Sequence, residues 1–221
     1  MGKNVMVLGS TGLVGSEVVK LLLKNDLIET VICPVRKAQK LTNPKAKEIE
    51  IDFKDDAAIE KLPSAEIIYC CLGTTIKKAG TRDKFKFVDY ELPIKFAQWG
   101  IKNKVHTYAI VTALGADANS LVFYNKVKGQ VEQKLREFNF ESLNIFRPSL
   151  LLGERGSESR FGEKVAETLL NFISPVLKGG LKKYAAIKAS DVAKAMMVNQ
   201  KKGLNIFLSD EIQKLADSSN I

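Results

Sequence analysis

A chain of 221 residues with 45% hydrophobic side chains has the length and apolar content for one globular domain with a sizeable core. Its three cysteines lack metal-ligand spacing, and its single histidine, His106, leaves neither a zinc site nor a histidine-based triad much to work with. The net charge of +9 would suit nucleic acid, an anionic membrane surface or phosphorylated small molecules, but the basic residues are scattered (Arg36-Lys37, Lys77-Lys78, Lys182-Lys183, Lys201-Lys202) without interleaved aromatics, which argues against nucleic acid and for a solvated surface.

No stretch approaches the ~18 uninterrupted apolar residues of a membrane span. The apolar N-terminal segment is broken by Glu17 and Lys20, and no small-residue cleavage site follows it. Together with the odd set Cys33, Cys70 and Cys71, this predicts a reducing compartment, hence a cytoplasmic location.

Residues 3–8 are apolar and β-branched and read as a first strand. The strand stops at GSTGLVG, 9–15, and a helical pattern follows over 13–24. Glycine permits positive φ and lets a ligand approach the backbone. Gly9 therefore allows the tight turn, Gly12 leaves room for a pyrophosphate at the helix N-terminus, and Gly15 lets the helix pack close to the strand. Ser10 and Thr11 add hydroxyl donors, and Leu13 and Val14 open the helix within the same cofactor-binding segment. Because the glycines follow a strand and open a helix in the first βαβ unit, they predict a dinucleotide site.

A second strand covers 29–35. NAD-specific folds place a carboxylate about 20 residues after the glycines, on the adenosine ribose. Here no Asp or Glu occurs between Val31 and Lys47, and Arg36 and Lys37 would instead grip a 2′-phosphate, so NADPH is expected over NADH. A third strand is predicted at 48–53, a short helix at 55–61, and a fourth strand, continuously apolar and so buried on both faces, at 65–72. One helix follows over 83–102, a fifth strand over 106–114, a helix over 124–138 that tolerates Gly129, and a sixth strand over 142–148 that stops at Pro148. A helix at 188–200, a strand at 204–209 and a helical tail complete the chain. The alternation predicts an α/β fold, a doubly wound parallel sheet of Rossmann type, as a single NAD(P)-binding domain over 1–221. Between 149 and 183 the alternation lapses into a glycine-bearing amphipathic stretch, expected to form a short C-terminal substrate cap or lid beyond the carboxyl ends of the strands. Two tyrosines stand four residues before a lysine. Tyr124 and Lys128 share one face of the helix after the fifth strand, whereas Tyr184 and Lys188 lack that position and are assigned to coincidence.

The turn GSTGLVG resembles the GxxGxxG turn of the short-chain dehydrogenase/reductase superfamily in its extended and atypical branches. YCCLGTT at 69–75, YNKVKG at 124–129, FRPSLLLGER at 146–155 and ASDVAKAM at 189–196 are similar to the small atypical group of Tat-interacting oxidoreductase-like proteins and their bacterial relatives. The resemblance implies that Asp52 and Phe53 contact adenine, that Leu72, Gly73 and Thr74 lie along the cofactor, and that Arg147 and Pro148 set the backbone beside the nicotinamide. It also implies catalysis by Tyr124 as general acid and Lys128 as its tuner and ribose ligand. Thr112 stands where members usually carry serine, followed by Ala113, and is expected to hold the substrate carbonyl oxygen with its hydroxyl. The function expected is an NADP(H)-dependent oxidoreductase acting on a small carbonyl or alcohol. A nucleotide-sugar epimerase or dehydratase shares the turn but usually has a larger C-terminal region. A non-enzymatic NADP(H)-binding regulator is the alternative from another class, slightly favoured by Ala113.

Overall fold

The computed structural model describes residues 2–153, 184–198 and 201–219. The chain lays down β1 (Lys3–Leu8), β2 (Ile28–Val35), β3 (Ala46–Glu50), β4 (Ile67–Cys70), β5 (Thr107–Val111) and β6 (Ser142–Arg147). A separate two-stranded parallel pair, β7 (Leu151–Leu152) and β8 (Ile187–Lys188), precedes β9 (Gly203–Leu208). The main sheet has seven strands in the order β3-β2-β1-β4-β5-β6-β9, and every neighbouring pair is parallel.

Alternate residues of each strand feed opposite faces, as the two-residue period of a strand requires. From β1, Val5 and Val7 pack with α1 (Leu13–Lys24), α7 (Ala189–Val198) and α8 (Ser209–Asp217), while Met6 and Leu8 pack with α2 (Asp56–Glu60), α5 (Leu92–Lys102) and α6 (Phe123–Leu135). Both faces are covered, which is why β4 reads as unbroken apolar sequence. The chain winds outward from β1 through β2 to β3 and then crosses back to β4 on the other side of β1. That reversal opens a crevice at the carboxyl ends of β1 and β4, where ligands sit in such sheets.

Three expectations change at the level of elements. The strand predicted at 48–53 is β3 at Ala46–Glu50, because Asp52 starts a turn in which its carboxylate accepts from the Lys54 N–H at 2.9 Å. The helix predicted over 83–102 is three pieces: α4 (Arg82–Lys86), a π-helical turn at Phe87–Glu91, and α5. Pro93 lacks an N–H and its ring would clash with the carbonyl four residues back, that of Asp89, so the helix widens there. Gly129 is a packing requirement, since a Cβ at that position would lie 2.1 Å from the backbone of Ala118 and Asp117, where the loop after β5 crosses α6. A short helix, α3 (Ile76–Ala79), lies between β4 and α4. Of the expected cap at 149–183, residues 154–183 lie outside the described residues.

Candidate cofactor and catalytic site

The site grows from the turn after β1. Gly9 has φ +74, and a Cβ there would be 2.7 Å from the Cys71 carbonyl at the end of β4, so a side chain is excluded on both counts. A Cβ on Gly15 would meet Gly9 O at 2.1 Å, which makes this glycine answer to the turn itself as well as to the strand. Gly12 is the N-cap of α1 and donates its N–H to Gly9 O at 2.9 Å. A Cβ on Gly12 would find only Gly9 O at 3.1 Å and Cys71 O at 3.9 Å. The first turn of α1 carries no side-chain cap and no acidic residue. Its N-terminal N–H groups therefore face the crevice without an acceptor from the capping side chain, and they suit an anion. This open, uncapped turn fits a dinucleotide pyrophosphate. Ser10 is buried and Thr11 is exposed, while the Leu13 and Val14 side chains pack into the core, so anything they offer a ligand comes from their backbone.

Arg36 and Lys37 are exposed just beyond β2. The loop that carries them is tied to β3: Glu48 accepts from the Gln39 and Leu41 N–H groups, both at 2.9 Å, and Glu50 accepts from Ala38 N–H at 3.3 Å. Burial pushes the Glu48 carboxyl up, but the backbone amides of Gln39, Leu41 and Lys40 together outweigh it and hold the carboxyl below its usual range. These carboxylates are spent on backbone amides, and the two cations stand free of them. Asp52 is exposed in its turn, and Phe53 is buried against the Phe96 ring, with centroids 6.0 Å apart. Leu72 packs on the core, and Gly73 is exposed at the crevice.

The chemistry-bearing residues meet beyond β4 and β5. Lys128 is buried on α6, and its Nζ lies 2.7 Å from Asp89 Oδ1. Asp89 is buried in the π-helical turn, and its Oδ2 accepts from the Thr74 N–H at 3.0 Å. Thus Thr74, Asp89 and Lys128 form one charge-assisted cluster, and the sequence reading missed its central member. The signal available was an acidic residue four positions before a proline inside a predicted helix. Burial pushes the Asp89 carboxyl up, and the Lys128 ammonium and the Thr74 N–H offset only part of that. Burial pulls the Lys128 ammonium down, but the Asp89 carboxylate, with Tyr124 adding to it, holds it above the ordinary lysine value. Tyr124 sits one turn before Lys128, with its ring against Phe85 of α4 at 5.6 Å.

Thr112 is placed differently from its expected role. Its hydroxyl donates to Glu132 Oε1 at 2.6 Å, so its single proton is directed at a buried carboxylate and away from any substrate oxygen. The same carboxylate takes Arg147, whose Nε lies 3.0 Å and 3.1 Å from its two oxygens and whose Nη2 adds a further bond. Arg147 is therefore a structural partner of Glu132 as well as a wall of the site. Pro148 is buried, and its carbonyl accepts from Leu114 N–H at 3.0 Å. A cavity of about 510 Å³ opens here, lined by Leu114, Gly115, Asn125, Arg147, Tyr184 and Leu208. Tyr184 thus lines the candidate substrate cavity, a role separate from the coincidental tyrosine–lysine spacing that it shares with exposed Lys188. Among the described residues no group of His, Cys, Asp and Glu is arranged to hold a metal ion.

The HIM1 family profile matches residues 24–178. The protein named "Protein FMP52, mitochondrial" from Candida albicans is 30% identical over 98% of this chain and 100% of its own length. "Protein HTATIP2" from Rattus norvegicus is 30% identical over 89% of this chain and 81% of its own. The crystal structure of the Bordetella bronchiseptica enzyme WbmH in complex with NAD+ superposes with a TM-score of 0.72 at 17% identity, covering 98% of this chain and 80% of that one. The shared fold is the Rossmann-type arrangement that the sequence resemblance implies. The fungal names overturn the expected cytoplasmic location, because FMP52 proteins from several fungi are named mitochondrial. Unpaired cysteines report on the redox state of a compartment, and a redox state is not an address.

Proposed function

The chain belongs to the HIM1 family, and from that premise and the site geometry we propose that it is an NADP(H)-dependent oxidoreductase of the short-chain dehydrogenase/reductase type, acting on a small carbonyl or alcohol. The observation that carries this reading is the buried Thr74–Asp89–Lys128 cluster one helical turn from Tyr124, beside an uncapped glycine turn. A bound NADPH would supply a hydride to a carbonyl carbon. Tyr124 would give its hydroxyl proton to the carbonyl oxygen, and Lys128 would keep a cation beside that hydroxyl and donate to the nicotinamide ribose of a bound cofactor. Asp89 keeps Lys128 charged and in place despite burial. Gly9, Gly12 and Gly15 shape the pyrophosphate turn, and Ser10 and Thr11 offer it hydroxyls. Arg36 and Lys37 take the 2′-phosphate, which gives NADPH its preference over NADH. Leu72, Gly73 and Thr74 would hold the middle of the cofactor, Asp52 and Phe53 would border its adenine end, and Arg147 and Pro148 would border its nicotinamide end. The cavity between Asn125, Arg147 and Tyr184 receives the substrate. The fungal names support a mitochondrial setting.

The test is NADPH oxidation across a panel of aldehydes, ketones and quinones, with Tyr124→Phe as the control. The substitution should keep NADPH affinity and lose ~10²–10⁴-fold in rate, the scale of a positioned acid. If the variant turns over an identified substrate at the parent rate, the proposed acid is wrong. One observation favours the non-enzymatic regulator instead: the Thr112 proton is spent on Glu132, and Ala113 has no hydroxyl to replace it. Tight NADPH binding with no turnover across the panel would establish that reading.

A further inference from the structure

The candidate substrate cavity carries charge of one sign. Arg147 is anchored at its wall by Glu132, whose side chain is 1% exposed. The guanidinium spends Nε on both Glu132 oxygens, at 3.0 Å and 3.1 Å, and turns Nη2 to one of them. A guanidinium has five N–H donors in one rigid plane. The two on Nη1 meet no acceptor among the described residues. Glu132 also draws Arg136, whose Nη2 lies 3.9 Å from its Oε2. One carboxylate therefore faces two guanidinium groups, and the cluster behind the wall keeps a net positive charge.

A second unspent donor lines the same cavity. The Asn125 side-chain amide, in the first turn of α6, makes no hydrogen bond within the described residues. It is packed on Gly115, where a Cβ would fall 2.8 Å from Nδ2, and the Asn125 carbonyl accepts from Asp117 N–H at 3.1 Å. No carboxylate stands among the described lining residues. Asp117 and Glu211, which flank the lining in sequence, accept from the Asn119 and Leu208 N–H groups, both at 2.9 Å. Leu114 and Leu208 add apolar wall, and about 510 Å³ suits a ring-sized molecule. From this arrangement we propose that the cavity takes a small carbonyl compound bearing a carboxylate, received by Arg147 Nη1 and Asn125 Nδ2. The inference rests on the reading of this cavity as the substrate site. Two separate donor groups suit the two oxygens of a planar carboxylate. A neutral group would gain only ordinary hydrogen bonds there, whereas bonds between a guanidinium and a carboxylate are about twice as strong.

The experiment is ligand-observed NMR titration of the full chain, in the presence of saturating NADPH, with benzoate and with its neutral isostere benzamide. Benzoate should bind at least about tenfold more tightly. Arg147→Lys keeps a cation on Glu132 but removes the second guanidinium arm, and it should weaken benzoate at least about fivefold. Asn125→Asp changes shape least and sets a like charge against the ligand. It should weaken benzoate at least about tenfold and leave benzamide unmoved. Cooperative melting of each variant reports that it is folded, and the parent's preference for benzoate stands as a test even if a variant is not. The readout is binding, so it is independent of turnover. A chain that never oxidises NADPH can still bind benzoate in this way, and an oxidoreductase that turns over only neutral aldehydes fails this inference alone. Benzoate bound no more tightly than benzamide, benzoate expelled by NADPH, or benzoate binding undiminished in either variant overturns the proposal.

Discussion

Asp89 and Lys128 place opposite charges 2.7 Å apart in a region from which water is almost wholly excluded. Such a pair gains little over apolar packing, but breaking it leaves an uncompensated charge. Asp89→Ala should therefore cost about 3–5 kcal/mol. Asp89→Ala combined with Lys128→Met should recover part of that loss, which urea denaturation of the four proteins measures as a coupling energy. The cysteines behave in the opposite way, as groups kept neutral. Burial pushes the Cys33 and Cys70 thiols up to about 11 and Cys71 well above its usual value. At pH 8 the thiolate fraction of Cys33 is then about 10⁻³, so iodoacetamide should leave Cys33 and Cys70 unlabelled in the folded protein and label them after denaturation. The unfolded chain releases these thiol protons near pH 9, before the folded chain does. Stability should accordingly fall as pH rises from 9 towards 11. Mass spectrometry of the alkylated protein and a stability series across that range check both expectations.

The π-helical turn and the glycine of α6 are the two irregularities that build the site. The turn at Phe87–Glu91 aims Asp89 inward, and Gly129 lets residues 117–118 cross α6 one residue after Lys128. An exposed helical glycine gains roughly 0.5–1 kcal/mol when replaced by alanine. Gly129→Ala should do the reverse and destabilise by about 1–3 kcal/mol, because the added methyl would fall 2.1 Å from backbone that has no free rotamer to retreat into. Chemical denaturation decides the sign, and a stabilising effect would show that the crossing is looser than the structure has it. From composition alone Gly129 reads as a helix flaw, since propensity speaks only of the helix to which a residue belongs. What crosses that helix comes from residues 117–118, set in place by the loop after β5.

Across the whole molecule, the candidate cofactor crevice joins the two halves of the sheet, with the Gly9 turn on β1 and the Cys71 carbonyl after β4 in direct apposition. A ligand bound across that seam ties both halves to the native state. NADPH at about 100 times its Kd should stabilise the fold by about 2.7 kcal/mol, raising Tm by ~5–10 °C for a domain of this size. NADH at the same concentration should raise it less, and Arg36→Ala should remove most of the difference, because only NADPH carries the 2′-phosphate. Equal shifts with both cofactors in the parent protein would count against the role given to Arg36 and Lys37.

The order of strands and helices, the two-faced burial of the sheet and the glycine turn were legible in the amino acids, because each follows from a local period or from the conformational freedom of single residues. Gly9, Gly12 and Gly15 declare the turn in a window of seven residues, and Tyr124 and Lys128 declare one helical face in five. Asp89 and Glu132 were not legible. Each acquires its role from a partner distant in sequence: Lys128 lies 39 residues after Asp89, and Thr112 and Arg147 lie 20 residues before and 15 residues after Glu132. The sequence alone determined that a dinucleotide-type turn stands at the mouth of a parallel sheet, because backbone sterics act locally. Only the tertiary structure decided that the Thr112 hydroxyl serves Glu132 and that Lys128 is held by Asp89, because a buried polar group takes whichever partner packing brings within about 3 Å, and that choice is made by the assembled elements.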